Sequence, residues 1–267
     1  MSMAAYAQLT SSPYSTYGLG ELYHPAFGAS QSLGGAGVAL RHPNQVNFLN
    51  PAAYTSQDTL SFVFDVGVSS RFRTYSTATQ AYTKSQYNLD HIAMSFPITR
   101  FLYASLGIMP FASTGYEFKS IDSLAPGLNN EMLYKGNGGI NQVYFGTGIC
   151  ILKNLSVGVN VRYLFGFFNT TSENFTSIGS ISSFKETSYD VRDFVFNAGV
   201  QYYPILANKH ILVIGANFQP PAKLNIEHQK KQHGQNQLCA FRYHQHHIYP
   251  KQFDPARENR WRHNLHI

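Results

Sequence analysis

Long stretches of apolar–polar alternation are the feature of this sequence that most restricts its fold. Residues 155–167 alternate with a single exception, and residues 60–73 alternate nearly as well. Successive side chains of a β-strand point to opposite faces, so this period predicts strands with one apolar and one polar face. Strands of soluble domains usually hold about five or six residues. Alternation over twice that length favours the wall of a β-barrel.

The same alternation predicts five more strands along the chain, which gives seven or eight in total. They fall at residues 92–96, 102–108, 143–151, 194–202 and 212–218. The apolar face of a barrel wall of this kind contacts lipid. The residues predicted to face lipid are Phe62, Phe64, Val66, Val157, Val159, Val161, Phe194 and Phe196.

Turns of two lengths separate the predicted strands. Short turns lie near Lys153 and Pro204, and longer polar loops are predicted at residues 122–130 and 169–187. The run Gly-Asn-Gly-Gly at residues 136–139 predicts one further turn. Outer-membrane barrels combine short periplasmic turns with longer outer loops, and the asymmetry seen here favours that class.

Composition separates the barrel from the soluble alternatives. Charged residues make up only 13% of the chain and aromatic residues 15%, which is unusual for a soluble enzyme. No run of eighteen apolar residues is present, so no transmembrane helix is predicted. A soluble β-sandwich or a secreted β-protein should have shorter strands and more charge on its polar face. We therefore predict an all-β fold, an antiparallel transmembrane β-barrel in the bacterial outer membrane.

A glycine-rich stretch precedes the first predicted strand and ends in Asn-Pro-Ala. It is not a phosphate-binding loop, because no buried strand precedes it, no Lys-Ser/Thr pair is present and no helical period follows. Glycine instead lets the backbone turn at positive φ or pack closely against another surface. The residues of this motif are Gly34, Gly35, Ala36, Gly37, Asn50, Pro51 and Ala52.

With residues 12–20 (SPYSTYGLG), 34–39 (GGAGVA) and 47–52 (NFLNPA), the chain resembles the FadL-like outer-membrane proteins. The resemblance covers about residues 10–225, and the leader is most similar to members from Bacteroidetes-type bacteria. It implies a monomeric barrel of about fourteen strands, with an N-terminal hatch, or plug, folded into the lumen. The strands counted here are half of that number.

The same resemblance implies a function and a set of partners. It implies transport of hydrophobic small molecules, such as long-chain fatty acids, across the outer membrane. Outer-membrane lipid and a hydrophobic ligand are then the expected partners, with no cofactor, metal or nucleic acid. A related branch serves protein secretion or attachment, so a structural or secretion-associated barrel without transport is the alternative.

The domain organisation follows from these patterns. Residues 1–7 end in Ala5-Tyr6-Ala7 and are typical of the end of a signal peptide, with an ordinary N-terminus as the alternative. Residues 8–54 form the predicted hatch, and residues 55–225 the partial barrel wall. Residues 226–267 are a basic, His-rich tail without strand periodicity.

The tail holds seven Lys/Arg against three Asp/Glu, so it carries +4 of the chain's net charge of +6. Three of its histidines, His244, His246 and His247, lack the spacing of a structural metal site. A nucleic-acid patch is not supported by any fold signature. The codons of Asp254–Leu265, read one frame over, are compatible with a strand-like peptide. We therefore hypothesise a frameshift near residue 226 that truncates the barrel and leaves a disordered tail.

No catalytic constellation is predicted. The only His–carboxylate neighbours in the strands are Asp90 and His91. Adjacent residues of a regular strand point to opposite faces, so these two side chains should not meet. The chain is therefore not expected to be an enzyme.

Overall fold

The fold is dominated by a ten-stranded antiparallel sheet that curls into a half-barrel. A computed structural model describes residues 12–76, 81–125, 128–176, 181–206, 210–234 and 262–266. The prediction of an all-β, antiparallel fold is confirmed. None of the helices in these ranges is long and apolar enough to cross a membrane.

Six long strands form the body of the sheet, and short elements flank them. The long strands are β2 (Val63–Ser76), β3 (Ala81–Pro97), β4 (Leu102–Ala125), β5 (Leu128–Leu152), β6 (Leu155–Thr176) and β7 (Ile181–Tyr202). The shorter ones are β1 (Glu21–Leu22), β8 (Ile205–Leu206), β9 (His210–Ile211), β10 (Ile214–Phe218), β11 (Lys223–Gly234) and β12 (Arg262–His266). The helices are a 3-10 helix at Pro13–Thr16, α1 at Gly28–Ser32 and a second 3-10 helix at Pro51–Ser56.

Each long strand pairs with the next one along the chain, from β2 to β7. The other side of β7 pairs with β11 near the start of β7 and with β10 near its end. Pro220 and Pro221 lie between β10 and β11 and have no N–H to give to a ladder, which explains the interruption. At this gap the Asp193 carboxylate accepts the backbone N–H of Asn225 at 2.9 Å. The path of paired strands ends at β2 on one side and β12 on the other.

The strands are longer than the alternation predicts. The loops predicted at 122–130 and 169–187 are wrong over most of their length, because β4 to β7 continue into them. The turn predicted at 136–139 is also wrong, since these residues lie inside β5. A Cβ at Gly136 would meet the ring of Tyr116 on β4, and Gly138 has a φ of 131°. Glycine is therefore needed here for close cross-strand packing and for backbone freedom.

Apolar side chains form a band on the outward face, at the end of each strand near the short turns. In β2 exposed and less exposed positions alternate without interruption. Charged cross-strand pairs lie further along the sheet, with Lys119 and Glu131 at 2.7 Å and Lys135 and Glu117 at 3.5 Å. The band includes exposed Phe64, Val66, Val68, Ile108, Val143, Phe145, Ile149, Val159, Phe194, Phe196 and Val200.

The strands are long enough to contain both the apolar band and the zone of charged pairs. β5 contains 25 residues. At about 3.3 Å per residue such a strand reaches roughly 80 Å, whereas about ten residues of a tilted strand cross a bilayer. The polar halves of the strands therefore extend well beyond the apolar band.

The inward face carries more apolar packing than the predicted polar lumen. One buried cluster gathers around Leu164, Ile140 and Leu224, with Leu19 from the N-terminal segment, residues 12–62. A second cluster packs Phe27 and Phe48 of that segment against strands β3 to β5. The inward face is thus a partial core, and the N-terminal segment supplies its other half.

The predicted segments of the chain can be compared with the structure at the wall–tail boundary and at the two ends of the chain. The boundary between residues 225 and 226 falls inside β11, which pairs with β7 from Ile226 to Gly234. Residues 1–11 and most of the tail lie outside the described residues, and so do His244, His246 and His247.

Candidate functional site

The N-terminal segment, residues 12–62, makes an extensive contact with the inward face of the sheet, and this contact is the candidate site. The second 3-10 helix of the segment contacts β4, β5, β6 and β7. Further along, Phe27 stacks on His91 of β3, and Glu21 pairs with Arg73 of β2. The sheet therefore wraps around this segment, which touches every long strand.

Asn50 is the centre of the contact and is fully buried. Its side-chain oxygen accepts the N–H of Ala52 at 3.1 Å and so caps the second 3-10 helix. Its amide nitrogen donates to the carbonyl of Val38 at 2.7 Å and to that of Val200 at 3.2 Å. One side chain thus joins the helix start, the glycine-rich stretch and strand β7.

Glycines in the wall make room for this turn. A Cβ added at Gly199 would run into the Asn50 side chain, and one at Gly158 would run into the backbone of Pro51 and Ala52. Both glycines have negative or extended φ, so the requirement is spatial. The small residues of β6 and β7 therefore form a seat for Asn-Pro-Ala.

The glycine-rich half of the motif forms a turn after α1. Gly34 and Gly35 have φ of 71° and 88°, the region that glycine occupies without strain. The Gly37 carbonyl accepts from the Asn47 side chain at 2.6 Å. The structure therefore brings the two halves of the sequence motif together through Asn47 and Asn50. Of the remaining motif residues, Ala36 is exposed, and Pro51 and Ala52 are buried.

A polar network that the sequence did not indicate fixes the rim of the contact. Arg41 donates to Gln201 of β7 at 2.9 Å and to Thr55 at 3.1 Å. Its guanidinium lies 3.9 Å from the ring centroid of Tyr203, a cation–π arrangement. Burial lowers the pKa of Arg41, and its electrostatic interaction with Tyr203 opposes that shift. Thr55 continues the network by donating to Ser156 at 2.7 Å.

Tyr54 anchors the same helix to β6. Its hydroxyl donates to the Asn160 side chain at 2.9 Å, and Asn160 donates in turn to the carbonyl of Phe48 at 3.2 Å. Complete burial raises the pKa of Tyr54 well above its ordinary value. Its neutral form is therefore the one that the fold stabilises.

The start of the segment is held by charge and by strand pairing. Glu21 and Leu22 form β1, which pairs with Ser113 and Ala112 of β4. Glu21 also forms a two-pronged ion pair with Arg73 of β2. These contacts reach both β2 and β4, so the segment bridges strands that are not neighbours.

His91 meets a carboxylate, although not the one next to it in sequence. A register shift between Gly67 and Val68 leaves Asp90 unpaired opposite β2, so both Asp90 and His91 lie on the inward side. The prediction that they face opposite ways is therefore wrong, because alternation fails at a bulge. His91 lies 3.1 Å from Asp65 and beneath the ring of Phe27, 3.8 Å away.

A cavity of about 180 Å³ lies between α1, residues 40–47 and the start of β2. Asp65, His42 and Asn44 are among its polar lining residues. Within the part of the chain that the structure describes, no group of three or more His, Cys, Asp or Glu side chains could hold a metal ion. The cavity adds a polar pocket to the edge of the contact.

Seven of the eight residues predicted to face lipid lie on the side of the sheet away from the N-terminal segment, and the eighth, Phe62, is the exposed last residue of that segment. Phe62, Phe64, Val66, Val159, Phe194 and Phe196 are exposed, and Val157 and Val161 are partly exposed. None of the eight contributes to the buried contact. Two separate surfaces result: an apolar outward band and an inward seat for the segment.

A family model described as BamG matches residues 1–248 of the chain. The match runs past residue 226, where the predicted tail begins. No curated protein and no solved structure matches the chain. The resemblance to FadL-like proteins is therefore wrong at the level of family, and the transport of fatty acids or other hydrophobic ligands that it implied is withdrawn with it. Short glycine-rich and Asn-Pro-Ala motifs report close backbone packing, which is not specific to one family.

Proposed function

The chain belongs to the BamG family, and we propose that it is a structural β-barrel protein that takes part in outer-membrane assembly. The family name and the half-barrel sheet are both consistent with an outer-membrane-associated location. This role corresponds to the structural alternative predicted from the sequence and replaces small-molecule transport.

The observation that carries the proposal is the way in which the inward face is filled. Asn50 is fully buried, and its hydrogen bonds connect residues 38, 52 and 200. Tyr54 and Phe48 are also buried against the wall. A transport path needs open or movable space, whereas buried and hydrogen-bonded contacts of this kind make a rigid unit. A rigid unit is suited to a structural role.

The membrane disposition belongs to the same proposal. The outward band, including Val159 and Phe194, would contact lipid, and the charged pair of Lys119 and Glu131 would lie outside the bilayer. In a closed transmembrane barrel formed by this sheet, the N-terminal segment would remain inside the barrel as its plug. We also propose that the protein acts as a monomeric barrel and has no enzymatic activity, cofactor or nucleic-acid partner.

Depletion of the protein in the bacterium that carries it tests this role. The abundance of the other outer-membrane β-barrel proteins is measured by quantitative mass spectrometry, alongside uptake of a fluorescent fatty acid. We expect several barrels to fall together and to recover when the full chain is supplied. Unchanged barrel levels, with a loss confined to fatty-acid uptake, would reject the proposal.

Copurification provides a second measurement with the tagged full chain. After crosslinking in intact cells, we expect proteins of the barrel-assembly apparatus to be enriched over an unrelated tagged outer-membrane barrel. Enrichment equal to that control would count against an assembly role.

A further inference from the structure

Arg162 of β6 is buried on the inward face, and among the described residues it has no ion-pair partner. The residue is 5% exposed. Its Nε and Nη2 atoms are buried and have no hydrogen-bond partner among the described residues. The ion pairs in these ranges are formed by other cations and do not include Arg162. A guanidinium stays charged in proteins, so this charge lacks compensation.

Two further polar side chains beside Arg162 are left in the same condition. Gln142 of β5 and Asn197 of β7 are buried, and their side-chain oxygens have no partner. In register, Arg162 lies opposite Tyr144 and Val195, so Gln142 and Asn197 are its diagonal neighbours on either side. Diagonal neighbours in a sheet are within reach of long side chains. Three adjacent strands thus direct unsatisfied polar groups to one place.

The carboxylate of Asp193, on the neighbouring strand β7, is already engaged. Asp193 lies two residues before Val195 on β7, and its two oxygens accept the backbone N–H groups of Phe194 at 2.7 Å and Asn225 at 2.9 Å. It therefore holds the gap between β10 and β11 and does not neutralise Arg162.

The free atoms of Arg162 have the geometry that an oxyanion needs. Nε–H and one Nη2–H lie side by side on one edge of the guanidinium and form a planar fork for two oxygens. Rotation of the Gln142 and Asn197 amide groups by 180° would direct their NH₂ groups to the place where their oxygens now lie without a partner. Phe48 of the N-terminal segment covers the site, with its ring centroid 6.0 Å from the guanidinium carbon.

We propose that Arg162, Gln142 and Asn197 form a binding site for an oxyanion, a carboxylate or phosphate group, beneath Phe48. The bound group supplies the missing counter-charge and accepts the fork of Arg162. Because Asn160 holds the Phe48 carbonyl at 3.2 Å, occupation of the site also braces the N-terminal segment. This site is independent of the assembly role proposed above.

The test measures thermal unfolding of the purified full chain in detergent with chloride as the only starting anion. Acetate and inorganic phosphate are added in separate arms, each against sodium chloride of equal ionic strength. We expect a saturable rise of the midpoint in at least one arm. Acetate alone identifies a carboxylate site, and phosphate alone identifies a phosphate site.

Variants assign any such effect to Arg162. Arg162→Met should unfold no earlier than the unmodified chain in chloride, because it removes an uncompensated buried charge, and should lose the anion response. Arg162→Lys keeps the charge without the fork and should bind about tenfold more weakly. Arg100→Met, at an exposed turn residue, is the matched control and should respond like the unmodified chain.

Three results would overturn the proposal. The first is a midpoint that follows ionic strength alone in both arms. The second is an equal anion response in Arg162→Met. The third is a high-resolution crystal structure, grown with the effective anion, that has only water at the Arg162 fork. If Arg162→Met does not fold, Arg162→Lys and the crystal structure decide the question.

Discussion

Replacement of Asn50 should loosen the N-terminal segment from the sheet more than any other single polar truncation in the contact. The side chain makes two kinds of interaction that can be separated chemically. Its oxygen caps the 3-10 helix at Ala52, and its NH₂ group donates to the carbonyls of Val38 and Val200. Asn50→Ala removes both, whereas Asn50→Asp keeps the capping oxygen and replaces the donor by a second acceptor.

The expected magnitude follows from these partners. An N-cap contributes about 1 kcal/mol, and a buried acceptor that loses its donor costs about 1–3 kcal/mol. The Val38 carbonyl keeps a second donor, the Gln201 amide at 2.9 Å, so the larger loss falls on Val200. We therefore expect Asn50→Ala to lower the free energy of unfolding by about 2–4 kcal/mol, roughly a hundredfold in the equilibrium.

Asn50→Asp distinguishes the donor from the cap. An aspartate oxygen would face the carbonyl oxygens of Val38 and Val200, and a buried carboxylate without donors is strongly unfavourable. We expect this variant to lose at least as much stability as Asn50→Ala. Asn44→Ala, at an exposed position in the same segment, is the control and should change stability by less than about 0.5 kcal/mol.

The assay is equilibrium unfolding in urea, followed by the mobility shift of unheated samples on gels, with limited proteolysis of residues 12–62 as a local readout. A change in midpoint at constant slope reports stability itself. If Asn50→Asp has the stability of the unmodified chain, the bonds to Val38 and Val200 contribute nothing and the reasoning is refuted.

Three further predictions test the wall, the band and the buried tyrosine. Gly199→Ala should destabilise the protein by about 1–3 kcal/mol in urea unfolding because the new Cβ meets the Asn50 side chain, whereas outward Ala198→Gly should leave the proteolysis of the segment unchanged. Val159→Lys in the apolar band should lower the free energy of unfolding in lipid vesicles by about 2–4 kcal/mol. Thr171→Lys, on the same face beyond the band, should have little effect. Equal losses in the two variants would contradict a lipid-facing band. Burial raises the pKa of Tyr54 above its ordinary 10.0, so its contribution is fully present below about pH 10 and is lost as the pH rises further. The stability advantage of the unmodified chain over Tyr54→Phe should therefore shrink between pH 8 and pH 11, and a constant difference would show that Tyr54 does not ionise on unfolding.

The face to which each strand residue points could be predicted from the sequence, because alternation is a local property of extended backbone. Val157, Val159 and Val161 were placed on one outward face by period alone, and the structure puts all three there. Strand ends were harder to predict. The glycines of residues 136–139 have the composition of a turn, but their role depends on Tyr116 across the sheet.

The contacts of the candidate site come from residues far apart in the chain, which explains why only part of the site could be predicted. Asn50 belongs to a local sequence motif, yet its partner Val200 is 150 residues away. Arg41 belongs to no local pattern, and alternation assigns Arg162 only to the polar face of its strand, so the sequence indicated the contacts of neither residue. His91 meets Asp65, its diagonal neighbour on β2, whereas the bulge changes only the side to which Asp90 points.

The sequence by itself determined an all-β wall with an apolar and a polar face, because the two-residue period fixes where each side chain points. Only the tertiary structure decided how the N-terminal segment and the inward face complete each other. The fit depends on which buried donors meet which acceptors after the sheet curls, as Asn50 meets the Val200 carbonyl. It also depends on which buried donors remain without an acceptor, as at Arg162. Such pairings are set by distances across strands, and no local period in the chain encodes them.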